Sequence, residues 1–129
     1  MTTKVEQGYQ YTATHEWVRV EGSRAFVGVT DFAQHAMGNV VYVELPEAGK
    51  ALQAGEDFCV VESVKAAADV YMPVTGTITE VNEALRADPS LANSDPLGNG
   101  WFFKILIKDM AEFDVLMDEP AYEKFSKNA

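Results

Sequence analysis

Apolar and polar positions alternate in short runs over the first two thirds of the chain. Glu16-Trp17-Val18-Arg19-Val20 follows the two-residue period of a half-buried strand. Ala25-Phe26-Val27-Gly28-Val29 continues it after Glu21-Gly22-Ser23-Arg24, which reads as a hairpin turn. Thr30 or Asp31 is placed to cap a short helix through Phe32, Ala33, Ala36 and Met37, with Gly38 ending it in the left-handed conformation. Val40-Val41-Tyr42-Val43-Glu44-Leu45 is the clearest strand, stopped by Pro46 and Gly49. After a turn at Gly55-Glu56-Asp57, the pattern predicts strands over 58–62 and 69–72 around a short loop, then a bend at Pro73-Val74-Thr75-Gly76. Thr77-Ile78-Thr79-Glu80-Val81 alternates cleanly. Asp88-Pro89-Ser90-Leu91-Ala92-Asn93 reads as one helical turn, with Asp88 as cap and Pro89 at the first position. A loop then leads to a buried strand over 101–107.

The last stretch changes period. Asp109-Met110-Ala111-Glu112 has the spacing of a capping box, and Met110, Phe113, Leu116 and Met117 make one apolar helical stripe. Pro120 fits the first turn of a second helix carrying Tyr122 and Phe125. Many short strands broken by turn residues imply a mainly β sandwich or barrel, with short helices and a C-terminal helical segment packed on it. The 129 residues fit a single domain, with the central core at about 20–107 and the C-terminal helices at about 109–127.

Composition narrows the function classes. The chain is 47% hydrophobic, enough for a core without covalent staples. Cys59 is its one cysteine, which excludes an internal disulfide and suits a reducing compartment. Two histidines and one cysteine without paired spacing give no metal signature. Ten basic residues against twenty acidic ones leave a net charge of −10, which repels nucleic acid and suits docking onto basic partner surfaces. No apolar run is long enough to span a bilayer. Residues 1–10 have neither the apolar core of a secretory signal nor the basic character of a transit peptide. The expected location is cytoplasmic, or the mitochondrial matrix where a transit peptide has been removed.

One stretch carries candidate chemistry: Glu62-Ser63-Val64-Lys65-Ala66-Ala67-Ala68-Asp69. Apolar strands flank it and place Lys65 at a hairpin tip, facing water on a four-carbon stem. Val64, Ala66 and Ala67 are small or uncharged, leaving room for a modifying enzyme to close around the amine. Amide formation there removes the positive charge and attaches a long arm.

The run Glu-Ser-Val-Lys-Ala-Ala, followed by Asp69-Val70 and then Pro73-Val74-Thr75-Gly76, resembles the lipoylation signature of the glycine cleavage system H protein family. The likeness extends over nearly the whole chain. Tyr11 to Trp17 resembles the family's first strand, Gly28 to Gln34 its short-helix segment, and Val43-Glu44-Leu45-Pro46 its next strand. Glu80 to Leu85, Asp88-Pro89 and Gly100-Trp101 resemble its second half.

The resemblance implies a lipoyl/biotinyl-type flattened β-barrel sandwich and a carrier that is a substrate of its partners, not an enzyme. Lys65 would hold lipoate covalently as lipoyllysine. Glu62, three residues before it, and Gly76, eleven after, match positions read by the lipoate ligase or octanoyltransferase. The glycine also has a structural reason, a sharp return of the chain beside the hairpin. The implied partners are glycine decarboxylase, which loads an aminomethyl group on the arm, aminomethyltransferase, and dihydrolipoyl dehydrogenase, which takes the electrons. The loaded arm would fold into a surface cleft involving Thr14, Glu16 and Asp69. A carrier visiting three active sites gains from being a small monomer. The chain departs from the family pattern at Ala36 and Phe32, where many relatives have histidine, at Ala68, where serine is common, and at Leu97, where tyrosine is common.

Other functions fit less of the sequence. A biotin carrier resembles Ala-Met-Lys-Met, and here Val64 and Ala66 flank the lysine. A lipoyl way station, passing the group on to dehydrogenase complexes, is the alternative that keeps the same lysine. A hydrolase built on His15 with Glu16, or His35 with Asp31, lacks a serine elbow or second base. Cys59 sits in an apolar strand with no basic neighbour, the setting of an inert thiol.

Overall fold

The computed structural model describes residues 9–127 apart from Ser23, and of Phe58 only the backbone. The reading of residues 1–8 as lacking a targeting signal lies outside the described residues. The elements run β1 (Tyr9–Tyr11), β2 (Glu16–Glu21), β3 (Arg24–Val29), α1 (Asp31–Met37), β4 (Val40–Glu44), β5 (Ala51–Leu52), β6 (Asp57–Ser63), β7 (Ala67–Tyr71) and β8 (Gly76–Val81). They continue as α2 (Glu83–Ala87), α3 (Leu91–Ser94), β9 (Phe103–Ile107), α4 (Met110–Asp114) and α5 (Glu119–Lys127).

Two antiparallel sheets face each other. One has the order β1-β2-β3-β9-β8-β5, the other β4-β6-β7. The sheets end in open edges, so the fold is a sandwich and not a closed barrel. The alternation read in the sequence decides which side chains meet between them. Val18, Val27, Ile78 and Ile105 of the larger sheet pack with Val43, Val61 and Val70 of the smaller in one buried cluster. A second cluster covers the outer face of the larger sheet near β1: Tyr9, Tyr11 and Trp17, with Leu97 and Tyr122 laid over them. Trp17 reaches this face because its cross-strand partner is Gly28, where a Cβ would stand 2.7 Å from the indole ring. The indole N–H donates to the Pro96 carbonyl at 2.8 Å.

Several local expectations change. Thr30, not Asp31, caps α1: its hydroxyl accepts from the Ala33 N–H. Gly38 follows the helix with φ 78° but ψ −157°, an extended turn-out instead of the left-handed helical conformation. Asp88 is not the N-cap of α3; it is the C-cap of α2, its N–H donating to the Ala84 carbonyl. Its carboxylate accepts from the Ser90 N–H and hydroxyl in a local turn, and α3 starts two residues later with Ser90 at its N-cap. The capping box at Asp109 forms only half. Asp109 accepts from the Ala111 N–H, while the Glu112 carboxylate crosses to the N–H and hydroxyl of Thr75, donors that neither β7 nor β8 pairs. The apolar stripe 110–117 is broken as well. α4 ends at Asp114, and Met117 exchanges both backbone hydrogen bonds with Tyr11. The exposed edge of β1 wins over one more helical turn. Phe113 and Leu116 pack on the first cluster, Met117 on the second, and Met110 stays exposed.

The strand expected to begin at Trp101 begins at Phe103, and the one expected from Asp69 begins at Ala67. The second difference shortens the loop around Lys65 to a tight turn. No helix among the described residues is long and apolar enough to cross a membrane.

Candidate functional site

The turn carrying Lys65 is built by its neighbours. The Ser63 N–H donates to the Ala66 carbonyl at 2.8 Å, closing a four-residue turn between β6 and β7. The Ser63 hydroxyl accepts from the N–H groups of Lys65 and Ala66, both at 3.2 Å. The turn is hung from the chain beside it: the Val64 N–H donates to the Asn39 carbonyl at 3.0 Å. Asn93 fixes that support. Its amide donates to the Gly38 carbonyl and the Gln34 side chain, and its oxygen accepts from the Val40 N–H. Lys65 is exposed, and its stem lies over Gly38, where an added Cβ would be 3.4 Å from the lysine Cε. Gly38 therefore serves both the positive φ of the turn-out and the passage of the lysine stem.

A cleft of about 190 Å³ opens between α1, the start of β2 and the free edge of β7. Thr14, Glu16 and Asp69 all line it, with Phe32, Ala36 and Met37 on the helix side. The structure thus brings together the three cleft residues inferred from sequence, and Phe32 and Ala36 lie in the same wall. The two carboxylates differ. Glu16 is 2% exposed and held on both oxygens: the Thr12 hydroxyl donates at 2.6 Å, the Thr14 hydroxyl donates to the same oxygen, and the Tyr71 N–H donates to the other at 3.3 Å. Burial pushes its pKa up, and these hydrogen bonds pull against the shift. Asp69 is exposed on β7, opposite Val60, and among the described residues makes neither an ion pair nor a side-chain hydrogen bond.

Glu62 and Gly76 are not neighbours of one another. Glu62 is exposed on β6, opposite Ala67 at the base of the tip. Gly76 is buried in β8, paired with Leu52 on one side and Ile107 on the other. Its φ is not in the left-handed region. Glycine is required there because a Cβ would meet the Leu106 carbonyl oxygen at 2.6 Å, which replaces the sharp-return reason.

Sequence reasoning passed over the tie behind the cleft. His15 takes φ 69° and stacks its ring on Phe32 at 4.4 Å. Its Nδ1 lies 2.7 Å from the Tyr122 hydroxyl, which lies 2.7 Å from the Thr30 hydroxyl. Burial lowers the His15 pKa and raises that of Tyr122 to about 12. His15 is thus engaged by Tyr122 and not by Glu16, which removes the first hydrolase pairing. His35 and Asp31 do approach at 3.5 Å, an exposed imidazole against a buried carboxylate of α1. The Cys59 thiol is buried, with its pKa pushed up to about 12 by burial and by Glu44, as an inert thiol requires. No group of three metal-binding side chains occurs among the described residues.

A two-sheet sandwich that presents one lysine at a hairpin tip, with an apolar cleft and an exposed carboxylate on the adjoining strand, has the form of a carrier-type protein. The chain belongs to the glycine cleavage H-protein family, whose model matches residues 9–129. It is 57% identical over 113 residues to the glycine cleavage system H protein of Bradyrhizobium diazoefficiens, covering 88% of this chain and 93% of that one. It is 52% identical over 122 residues to the H protein of a Thermoanaerobacter species, covering 95% and 96%. The crystal structure of a glycine cleavage system H protein from Mycobacterium marinum superposes with a TM-score of 0.84 at 32% identity, covering 96% of this chain and 98% of that one. The family is lipoyl-bearing, and its role lies in the glycine cleavage system.

Proposed function

We propose that the protein carries lipoate covalently on Lys65 and shuttles an aminomethyl group from glycine decarboxylase to aminomethyltransferase, then electrons to dihydrolipoyl dehydrogenase. It acts as a substrate of these enzymes. The observation that carries this reading is the position of Lys65: its exposed side chain stands on a hydrogen-bonded turn, with its stem over Gly38, the residue that follows Met37 of the cleft wall. Lipoate held there would supply a dithiolane, a reducible disulfide with a sulfur able to carry the cargo.

The chain's own residues suit such an arm. Phe32, Ala36, Met37 and Val29 offer an apolar wall to its methylene chain. Asp69 has an exposed carboxylate, without a partner among the described residues, to pair with the ammonium of the cargo. Glu16, already committed on both oxygens, shapes the wall and keeps Tyr71 and the two threonines in place. Glu62 faces solvent beside the tip, where a lipoate ligase or octanoyltransferase can read it. Alanine at position 36 and phenylalanine at position 32 make this wall apolar, so the arm is held mainly by burial and by Asp69. The reading takes the chain as one carrier domain acting as a monomer.

Intact mass spectrometry tests it. Protein made in lipoate-replete cells should gain one lipoyl mass, and Lys65→Arg should gain none. An unmodified wild-type chain in the presence of an active ligase would overturn the proposal. A deletion strain that grows normally on glycine as its one-carbon source, yet loses lipoylated dehydrogenases, would assign the way-station role instead.

A further inference from the structure

The cleft has two walls, the loop leading into β2, with Thr14 and His15, and the helix α1. The β2–β3 ladder joins their main chains, ending where the Thr30 N–H donates to the His15 carbonyl at 3.0 Å. One side-chain hydroxyl then joins the His15 ring to the same residue. Tyr122 of α5 is fully buried, stacked on Tyr11 at 4.6 Å, and its oxygen lies 2.7 Å from His15 and 2.7 Å from Thr30. Thr30 is the residue that caps α1. We propose that Tyr122 is a positioning residue for the arm cleft: its hydroxyl adds to the Thr30–His15 backbone bond, holds the His15 ring in the wall beside the foot of α1, and so sets how far the cleft opens. The inference rests on the reading of Lys65 as the arm-bearing residue.

Three features support it. His15 holds a left-handed backbone conformation that is uncommon for a residue with a side chain, and its surroundings hold it there. The imidazole is gripped on two sides, by Phe32 of α1 and by the Tyr122 hydroxyl. The hydrogen-bond chain is complete in either direction. With Nδ1 unprotonated, Thr30 donates to Tyr122 and Tyr122 donates to His15. With Nδ1 protonated, His15 donates to Tyr122 and Tyr122 donates to Thr30, which also accepts from the Ala33 N–H. The tie therefore persists in both tautomers. A strut that served only the hydrophobic core would not need this oxygen, because phenylalanine would fill the same space.

The test uses Tyr122→Phe, which keeps the stacked ring and removes both ties, and His15→Asn, which tolerates the left-handed backbone and removes one. Hydrogen exchange on protein not yet lipoylated should show faster exchange at 13–16 and 31–34, with β6 and β9 unchanged. In lipoylated protein with the arm reduced, alkylation of the dithiol by iodoacetamide should run about two- to tenfold faster, the range expected for one lost buried hydrogen bond. The double variant should be no faster than Tyr122→Phe, since both act through one oxygen. Unchanged exchange in the walls, unchanged alkylation, or additive effects would each overturn the assignment. Absence of any lipoyl mass would instead overturn the reading of Lys65, with the exchange experiment still deciding on the tie.

Discussion

His15 and Glu16 are consecutive, and burial moves them in opposite directions: the imidazole pKa falls below 6.5 and the carboxyl pKa rises above 4.5. The unfolded chain takes up a proton on His15 before the folded one does. The contribution of His15 to stability is therefore full above pH 6.5 and is lost as pH falls from there through its lowered folded pKa. Glu16 behaves oppositely. Its contribution is full below pH 4.5 and is lost as pH rises through its raised folded pKa. The two slopes have opposite signs, one starting upward from pH 4.5 and the other downward from pH 6.5. Urea unfolding at a series of pH values should separate them. His15→Asn should remove the part that rises toward pH 6.5, and Glu16→Gln the part that declines above pH 4.5. Curves parallel to wild type in both variants would mean that neither group titrates differently on folding. A carboxylate that costs stability at neutral pH yet sits in the cleft wall is consistent with a group retained for what it organises: Thr12, Thr14 and the edge of β7.

At the scale of the element, β8 separates two explanations of one glycine. A Cβ on Gly76 would press on the Leu106 carbonyl, which the β8–β9 ladder holds in place. Gly76→Ala should lower stability by about 1–3 kcal/mol, as overpacking does. Glu62→Gln, at an exposed and unpartnered position, should leave stability within about 0.5 kcal/mol. If the ligase reads both positions, each variant should be lipoylated more slowly in a purified assay below its unfolding midpoint. A Gly76→Ala protein modified at the wild-type rate would leave that glycine a purely structural role. The strands that alternate over five or more residues were legible in the sequence because their burial is one-sided. β1, with three residues, and β5, with two, are too short to show a period, and they exist because an adjacent strand offers an edge. α2 was missed for a similar reason: Leu85 is its one buried residue, and its Asn82 cap looks like any turn asparagine. The half-formed capping box failed because Glu112 found a better partner in Thr75, far away in sequence.

Over the whole molecule, Lys65 was legible because a hairpin tip and its flanking motifs are local, whereas the tie behind the cleft joins residues 15, 30 and 122, which no local pattern connects. The distribution of charge is likewise visible only in the fold. On the larger sheet, acids have cations beside them: Arg19 with Glu21 at 3.3 Å and Lys104 with Glu80 at 3.5 Å. The strands of the smaller sheet carry Glu44, Asp57, Glu62 and Asp69 and no lysine or arginine, and none of these acids forms an ion pair among the described residues. Neighbouring strands lie about 4.8 Å apart, so Glu44 and Asp69, on the two strands flanking β6, stand within roughly one Debye length at 0.1 M salt. Their repulsion is local and screenable, and acylation of Lys65 takes away the cation at the tip of this sheet. Thermal unfolding should therefore shift upward between about 20 mM and 500 mM sodium chloride, by more in the lipoylated protein than in the unmodified one. Replacing Glu44 and Glu62 together by glutamine should raise the midpoint at low salt and flatten the salt dependence. The same double replacement at Glu21 and Glu80 should lower it, because there it strands cations that now have partners. Equal responses from the two pairs would show that net charge, and not its concentration on one sheet, governs the repulsion.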